Sequence, residues 1–391
     1  MAVGLGASRA HAGTRLTVHA GDADRVETPV SFKLPDTVRD VNALKAPGEP
    51  VIPLQVDPDG QATFILPRLA GGESKTFELI TAMRAAVVGE IMEAKATAGA
   101  VVITCRGKRV LRYNTEPTEL PRPDIKPIYR RGGYLHPIFT PGGRVVTDDY
   151  PPNHVHHHGV WFAWTNTEFE RRKPDFWNMG QGKGTVDFVA LDATWSGPVH
   201  AGFRSRHRFV DLTAEAPKTA LHEVWDVRAY HVGSGQRQWW MFDLVSTQTC
   251  ASASPLKLPE YYYGGLGLRG RWEWNGETKC FFLTANGETD RVKGNATRAN
   301  WCHLGGWVEG ELAGIAVLCH PQNFRAPQPM RIHPREPFFC YAPSQIGDLE
   351  ITPGQPYVSR YRFVVSDGPP ERAALDRLWK DYAEPPRVVL E

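Results

Sequence analysis

Apolar and polar positions alternate in short runs along most of this chain, and Gly, Pro, Asp and Asn interrupt the runs at close intervals. A period of two places successive side chains on opposite faces of an extended backbone, so each run predicts a half-buried strand. Runs at 14–19, 28–34, 51–56, 61–66 and 76–80 predict a small β-sandwich module over residues 1–85, with the AGGESKT stretch at 70–76 turning into its last strand. Longer runs rich in Val, Phe, Trp and Tyr lie at 101–105, 160–164, 186–195, 202–210, 221–230, 238–247, 314–319 and 357–365. They predict a larger antiparallel domain over residues 86–391. The Ala-rich connector at 83–100 fits a strand or a short helix equally well.

One helix stands out. Asp367-Gly368-Pro369-Pro370 can open it, Ala373, Leu375, Leu378 and Trp379 supply an apolar face, and Pro385-Pro386 stops it. It is expected to cap a sheet and to take no part in chemistry. The fold class is all-β, and the lack of an internal repeat argues against a propeller or solenoid.

Composition narrows the function. Apolar residues make up 41% of the chain without forming the roughly eighteen-residue run that a membrane-spanning helix needs. The first fifteen residues lack the apolar stretch of a secretory leader, so a cytoplasmic location is expected unless a leader has been trimmed. Forty-five Lys plus Arg against 43 Asp plus Glu leave a formal charge of +2, too balanced to argue for nucleic acid or an anionic membrane. A small-molecule or oligosaccharide partner is expected instead. The six cysteines form no CxxC pair, so buried free thiols are expected rather than a zinc knuckle or disulfide scaffold. Neither a GxSxG elbow, nor a P-loop, nor a GxGxxG turn after a strand is evident. The glycine-rich Gly180-Gln181-Gly182-Lys183-Gly184 lacks the strand-to-helix context of a phosphate cradle and is expected to be a flexible loop or lid beside Trp177.

The chemistry concentrates in one place. Four of the fourteen histidines fall within residues 154–158. In an extended chain His154, His156 and His158 share one face while Val155 and His157 take the other. Three uses follow. Imidazoles titrate near neutrality, so His156 and His158 are candidates for proton transfer, with Asp148 orienting one of them and His136 and Glu223 as further acid/base candidates. Alternatively His154, His156 and His158 ligate a divalent metal, with a further ligand from His136, Asp148, Asp149, Glu168, His207, Glu223 or His320. A cupin-like site would place a Glu where Phe162 and Ala163 stand, which weakens that version. The third use is a polar plug at the Pro151-Pro152 turn. A cofactor is thus left open between none and a divalent metal.

Trp161, Trp164, Trp177, Trp272, Trp274 and the cluster Tyr261, Tyr262 and Tyr263 have flat faces that suit the C–H surface of a sugar ring, although core packing competes for each. Tyr262 and Tyr263 precede a Gly-Gly turn and are expected to face a cavity, and His154 is a further candidate for ligand contact. Arg269 offers a fork for a carboxylate or hydroxyl. His207 and the strand-end group His320, Asn323 and Arg325 complete the set.

Tyr134-Leu135-His136-Pro137, Thr140-Pro141-Gly142-Gly143, the stretch from Asp148 to Gly159 and the Gly264-Gly265-Leu266 turn resemble a bacterial family labelled "methane oxygenase PmoA-like", over roughly residues 14–370. A membrane methane monooxygenase subunit needs long apolar helices, so the oxygenase activity is not carried over. What the resemblance implies is a large β-supersandwich similar to that of galactose mutarotases. That fold hosts epimerases, lyases and hydrolases, so it implies a carbohydrate ligand without naming a reaction. Three functions are therefore expected in competition: a carbohydrate-active enzyme using histidine and carboxylate acid/base chemistry, a metal-dependent enzyme with histidine ligands, and a non-catalytic sugar-binding module.

Overall fold

The period-two runs fold into antiparallel sheets stacked in pairs. The computed structural model describes residues 9–38, 40–82, 91–116, 119–233 and 238–391. The predicted domain boundary near residue 85, and the first half of the Ala-rich connector, lie outside them. The second half of the connector is a strand, Met92–Thr97.

In the first module a five-stranded sheet faces a three-stranded one. Leu16, Val18, Leu44, Phe77 and Leu79 from the larger sheet meet Val30, Phe32, Phe64 and Leu66 from the smaller in one apolar core. The larger sheet includes the strand Arg387–Leu390, which pairs antiparallel with Arg9–His19.

The main domain stacks two eight-stranded antiparallel sheets, with a small three-stranded sheet at their side. Its core joins Val160, Trp161 and Phe162 of one sheet to Phe203, Trp225, Phe242 and Phe363 of the other. All β strands predicted for this domain are present, and the expected helix spans Arg372–Ala383. Leu375 and Leu378 pack on the outer face of the second sheet against Met241, Trp301, Leu318 and Val364. The helix also ties the two modules together. Its buried Asp381 accepts hydrogen bonds from Arg25 and Thr28 at 2.9 Å each.

One end of the first large sheet gathers the chemistry. Val160 pairs with Leu268, and Arg269 pairs with Phe338. The loop entering Val160, the exit of the Gly265–Arg269 strand and the 333–337 turn therefore meet at a single edge.

Candidate functional site

The histidine segment is a looped turn rather than a strand. The His157 amide donates to the His154 carbonyl at 2.8 Å, which curls the chain just after Pro151-Pro152 and cancels the alternation expected of an extended backbone. His154, His156 and His158 consequently share no face. The His154 ring stacks on His157 instead, with centroids 4.7 Å apart, and His156 meets His157 edge-on at 4.7 Å.

His158 points inward. Its side chain is sealed from solvent, stacks on Tyr134 at 4.2 Å, and brings Nδ1 within 2.6 Å of Asp149. Tyr134 donates to the other Asp149 oxygen at 2.9 Å. Burial drives the His158 pKa far below the ordinary imidazole range, so the neutral ring donates its Nδ1 proton to the carboxylate. His136 lies on the strand beside this group, its Nδ1 3.0 Å from the Thr147 hydroxyl, and burial lowers its pKa as well. Asp148 does not orient a histidine. Its Oδ1 accepts the Asp149 amide at 2.8 Å, and burial pushes its pKa up to about 6.

His154, His156 and His157 line a cavity of about 180 Å³ together with Trp177, Asn178, Tyr262, Tyr263, Arg331, His333 and Phe338. Each wall is fixed by a different loop. Asp175 accepts the Trp177 and Asn178 amides at 3.0 and 2.9 Å and the Asn178 side chain at 2.8 Å, so the carboxamide is held in place. That carboxamide also donates to the Tyr263 hydroxyl at 2.9 Å. Arg331 lies over the Tyr262 ring, 5.4 Å from its centroid. His333 Nδ1 accepts the Glu336 amide at 3.0 Å, which leaves its proton on Nε2. Burial and neighbouring imidazoles push the His156 pKa down to about 4. Burial takes His333 to about 4 as well. Both rings are therefore neutral at pH 7.

Behind the cavity sits Glu336, which no local pattern along the chain marks. Its carboxylate accepts Arg269 at 2.6 Å and Asn153 at 3.0 Å, and lies 3.1 Å from His154 Nδ1. Burial opposes ionisation, but the His154 and Arg269 contacts outweigh it and hold the pKa at about 2. Arg269 is itself buried, with further bonds to Asn153 and Asn275, so it braces Glu336 and has no free fork for a ligand.

Several expected site residues serve the core instead. His207 and Glu223 face each other across adjacent strands, with Nδ1 2.9 Å from Oε2 and both side chains sealed. Tyr113 closes the other end of the imidazole at 2.6 Å, while Ser246 and Gln248 donate to Glu223. Gln248 in turn accepts the Trp164 indole at 2.7 Å. This buried chain satisfies every one of those groups internally, which removes His207, Glu223 and Trp164 from ligand contact. Trp161 is fully buried between His157 and Trp177. Asn323 bridges to the backbone of Arg360, Arg325 donates to three carbonyls of the 343–348 turn, and His320 packs on Tyr382 of the helix. Glu168 pairs with Lys257 on the small sheet. The Gly180–Gly184 segment is a short 3-10 turn, Met179–Gln181, running directly into the strand Gly184–Trp195.

A larger cavity, about 820 Å³, lies elsewhere, along the edge strand Cys280–Thr284. Its Asp290 caps a helical turn and its Arg291 donates to the Cys280 and Pro334 carbonyls, so these polar groups are committed to structure. The histidine cavity is smaller, but four imidazoles, two phenols and a guanidinium line it.

Residues 100–380 match the sequence model of a family of unknown function, DUF6807. The chain belongs to that family. The DUF6807 match takes in both large sheets except the strand Met92–Thr97, together with every residue lining the histidine cavity, and leaves the first module outside it. Comparison with curated proteins gave no match. The six cysteines are free thiols, and among the described residues no helix is long and apolar enough to cross a membrane.

Proposed function

We propose that this DUF6807 protein binds a small polyhydroxylated ligand, a monosaccharide or a comparable sugar derivative, in the histidine cavity and moves protons on it. The observation that carries this reading is the mixture of surfaces in one small space. Trp177 and Phe338 form a nearly buried apolar floor and the exposed Tyr262 ring an open apolar edge, while Asn178, Tyr263, Arg331, His156 and His333 offer hydrogen-bonding tips around them. At about 180 Å³ the cavity is below the roughly 300 Å³ at which drug-sized sites begin, which suits one ring better than an oligosaccharide.

The two neutral imidazoles divide the labour. His333 presents Nε2–H as a donor because its Nδ1 is already engaged by the backbone. His156, in the same lining, is the candidate acceptor. A donor and an acceptor facing one sugar carbon or ring oxygen suit epimerisation, ring opening or elimination, each of which needs a proton removed at one atom and supplied at another. A glycosidase pair is less well supported, because the described lining contains no carboxylate. The resemblance to the PmoA-like family, and through it to the galactose-mutarotase-like supersandwich, supports a carbohydrate ligand and names no reaction.

The test is a panel of aldoses, ketoses, uronic acids and their lactones followed by NMR in deuterated water, with the wild-type protein and with Asn178→Ala, His156→Ala and His333→Ala. Binding weakened by Asn178→Ala, and deuterium incorporation lost in His156→Ala or His333→Ala, is the expected result. Absence of both binding and exchange across the panel would overturn the reading.

A further inference from the structure

His154, His157 and Glu336 each bring one donor atom into a single cluster whose members lie within 4.8 Å of one another. Two features set this cluster apart from an ordinary hydrogen-bonded knot. His157 is 4% exposed, and its Nδ1 is buried without a hydrogen-bond partner. His154 Nδ1 is buried too and lies 3.1 Å from the Glu336 carboxylate. Buried polar atoms are nearly always satisfied, so a sealed imidazole nitrogen left open beside a second imidazole and a carboxylate marks a place where something cationic belongs.

From this geometry we propose that His154, His157 and Glu336 form a binding site for a first-row divalent metal ion, with zinc as the ion best suited to two imidazoles and one carboxylate. His157 is the fixed member. It is held between the His154 and Phe338 rings at 4.7 and 4.8 Å, and its amide and carbonyl are both engaged by the backbone. Glu336 is braced from behind by Arg269 and Asn153, the kind of outer support that metal-ligating carboxylates receive.

His154 is the adjustable member. Bonds of about 2.0–2.1 Å in a tetrahedral site bring donor atoms to roughly 3.3 Å from one another, so the cluster must tighten from its present span. The half-exposed His154 side chain, now stacked parallel to His157, turns to close that gap. A fourth position then faces the cavity that His154 and His157 line, which makes this an open site rather than a sealed structural one. The inference rests on the cluster alone and stands whether or not the cavity takes a sugar.

Untagged full-length protein, stripped with chelator, is titrated with Zn²⁺ by calorimetry and with Co²⁺ while its visible d–d bands are recorded. One equivalent per chain is expected, with affinity falling more than about tenfold in His154→Ala and in Glu336→Gln. His154→Ala removes a partly exposed ring and leaves the Arg269 contacts in place, so it remains testable if His157→Ala or Glu336→Gln fails to fold. Failure of the wild-type protein to take up an equivalent, or uptake unchanged in both variants, overturns the site. Sugar binding measured on the same metal-free protein reports on the cavity separately.

Discussion

The guanidinium of Arg269 lies 2.6 Å from the carboxylate of Glu336, and no part of the Arg269 side chain reaches solvent. Arg269 ends the strand Gly265–Arg269, whereas Glu336 sits in the turn before Phe338, so the pair staples the wall of the histidine cavity to the sheet edge. Replacing Arg269 by Ala strands a half-buried carboxylate and two side-chain amides. A loss of about 3–5 kcal/mol in urea denaturation is expected. Arg269→Lys keeps the charge but not the fork that reaches Glu336, Asn153 and Asn275 together, so an intermediate loss should follow. Equal stability of Arg269→Ala and wild type would show that the pair does not brace the wall.

His207→Ala and Glu223→Ala should each destabilise the protein by about 3–5 kcal/mol, since either one leaves its partner uncompensated in the core. Tyr113→Phe, which removes only the hydroxyl on His207, should cost about 1–3 kcal/mol. None of these residues lines the histidine cavity, so ligand affinity of the folded variants should stay within about twofold, a change of some 0.4 kcal/mol. A large fall in affinity without loss of stability would return His207 and Glu223 to the site.

Asp148 gives a pH signature. Burial raises its carboxyl pKa from 3.8 to about 6, so between these values the folded protein retains a proton that the unfolded chain releases. The associated stability is fully present below the unfolded value and is lost as pH rises through about 6. Asp148→Asn keeps the acceptor for the Asp149 amide and removes the ionisation. The variant should therefore flatten the stability profile between about pH 4 and pH 7 and exceed wild type by about 1 kcal/mol at the upper end. Parallel profiles for the two proteins in urea denaturation would sink this assignment.

Gly159 closes the histidine loop where a side chain has no room. A Cβ there would collide with the Leu135 carbonyl oxygen and press on His136 and Thr147 at 3.1 Å. Gly159→Ala should cost at least about 1–3 kcal/mol and weaken ligand binding by shifting the adjoining His157 and His158. Unchanged melting and affinity would mean that the loop relaxes freely.

The sheets and the capping helix were legible because their signals are local. Alternation marks strands wherever one face is buried, and Leu375, Leu378 and the flanking prolines mark the helix without reference to anything distant. The histidine loop shows where local reasoning stops. Its residue types stood out, but extended geometry was the wrong template. The hydrogen bond from His157 back to His154 curls the segment, so His157 enters the cavity wall while His158 turns to Asp149. Glu336, His333 and Asn178 carried no local mark, because only strand pairing brings their loops to the histidines; Trp177 was marked only as one aromatic residue among several. Tyr262 and Tyr263, next to a Gly-Gly turn, were expected near a cavity and do line one. His320, Asn323 and Arg325 also looked like strand-end ligand groups, yet their partners are backbone atoms and a helix ring.

The pairing of Arg387–Leu390 with Arg9–His19 bears on how the polypeptide matures. During synthesis the first module emerges early but lacks this sheet partner until translation has passed Leu390. Until then the flank of Arg9–His19 is open to other extended chains, a known route to misassembly. The nascent module must therefore wait for the Arg387–Leu390 strand, and a ribosome stalled upstream of Arg387 would carry a sticky, unfinished edge.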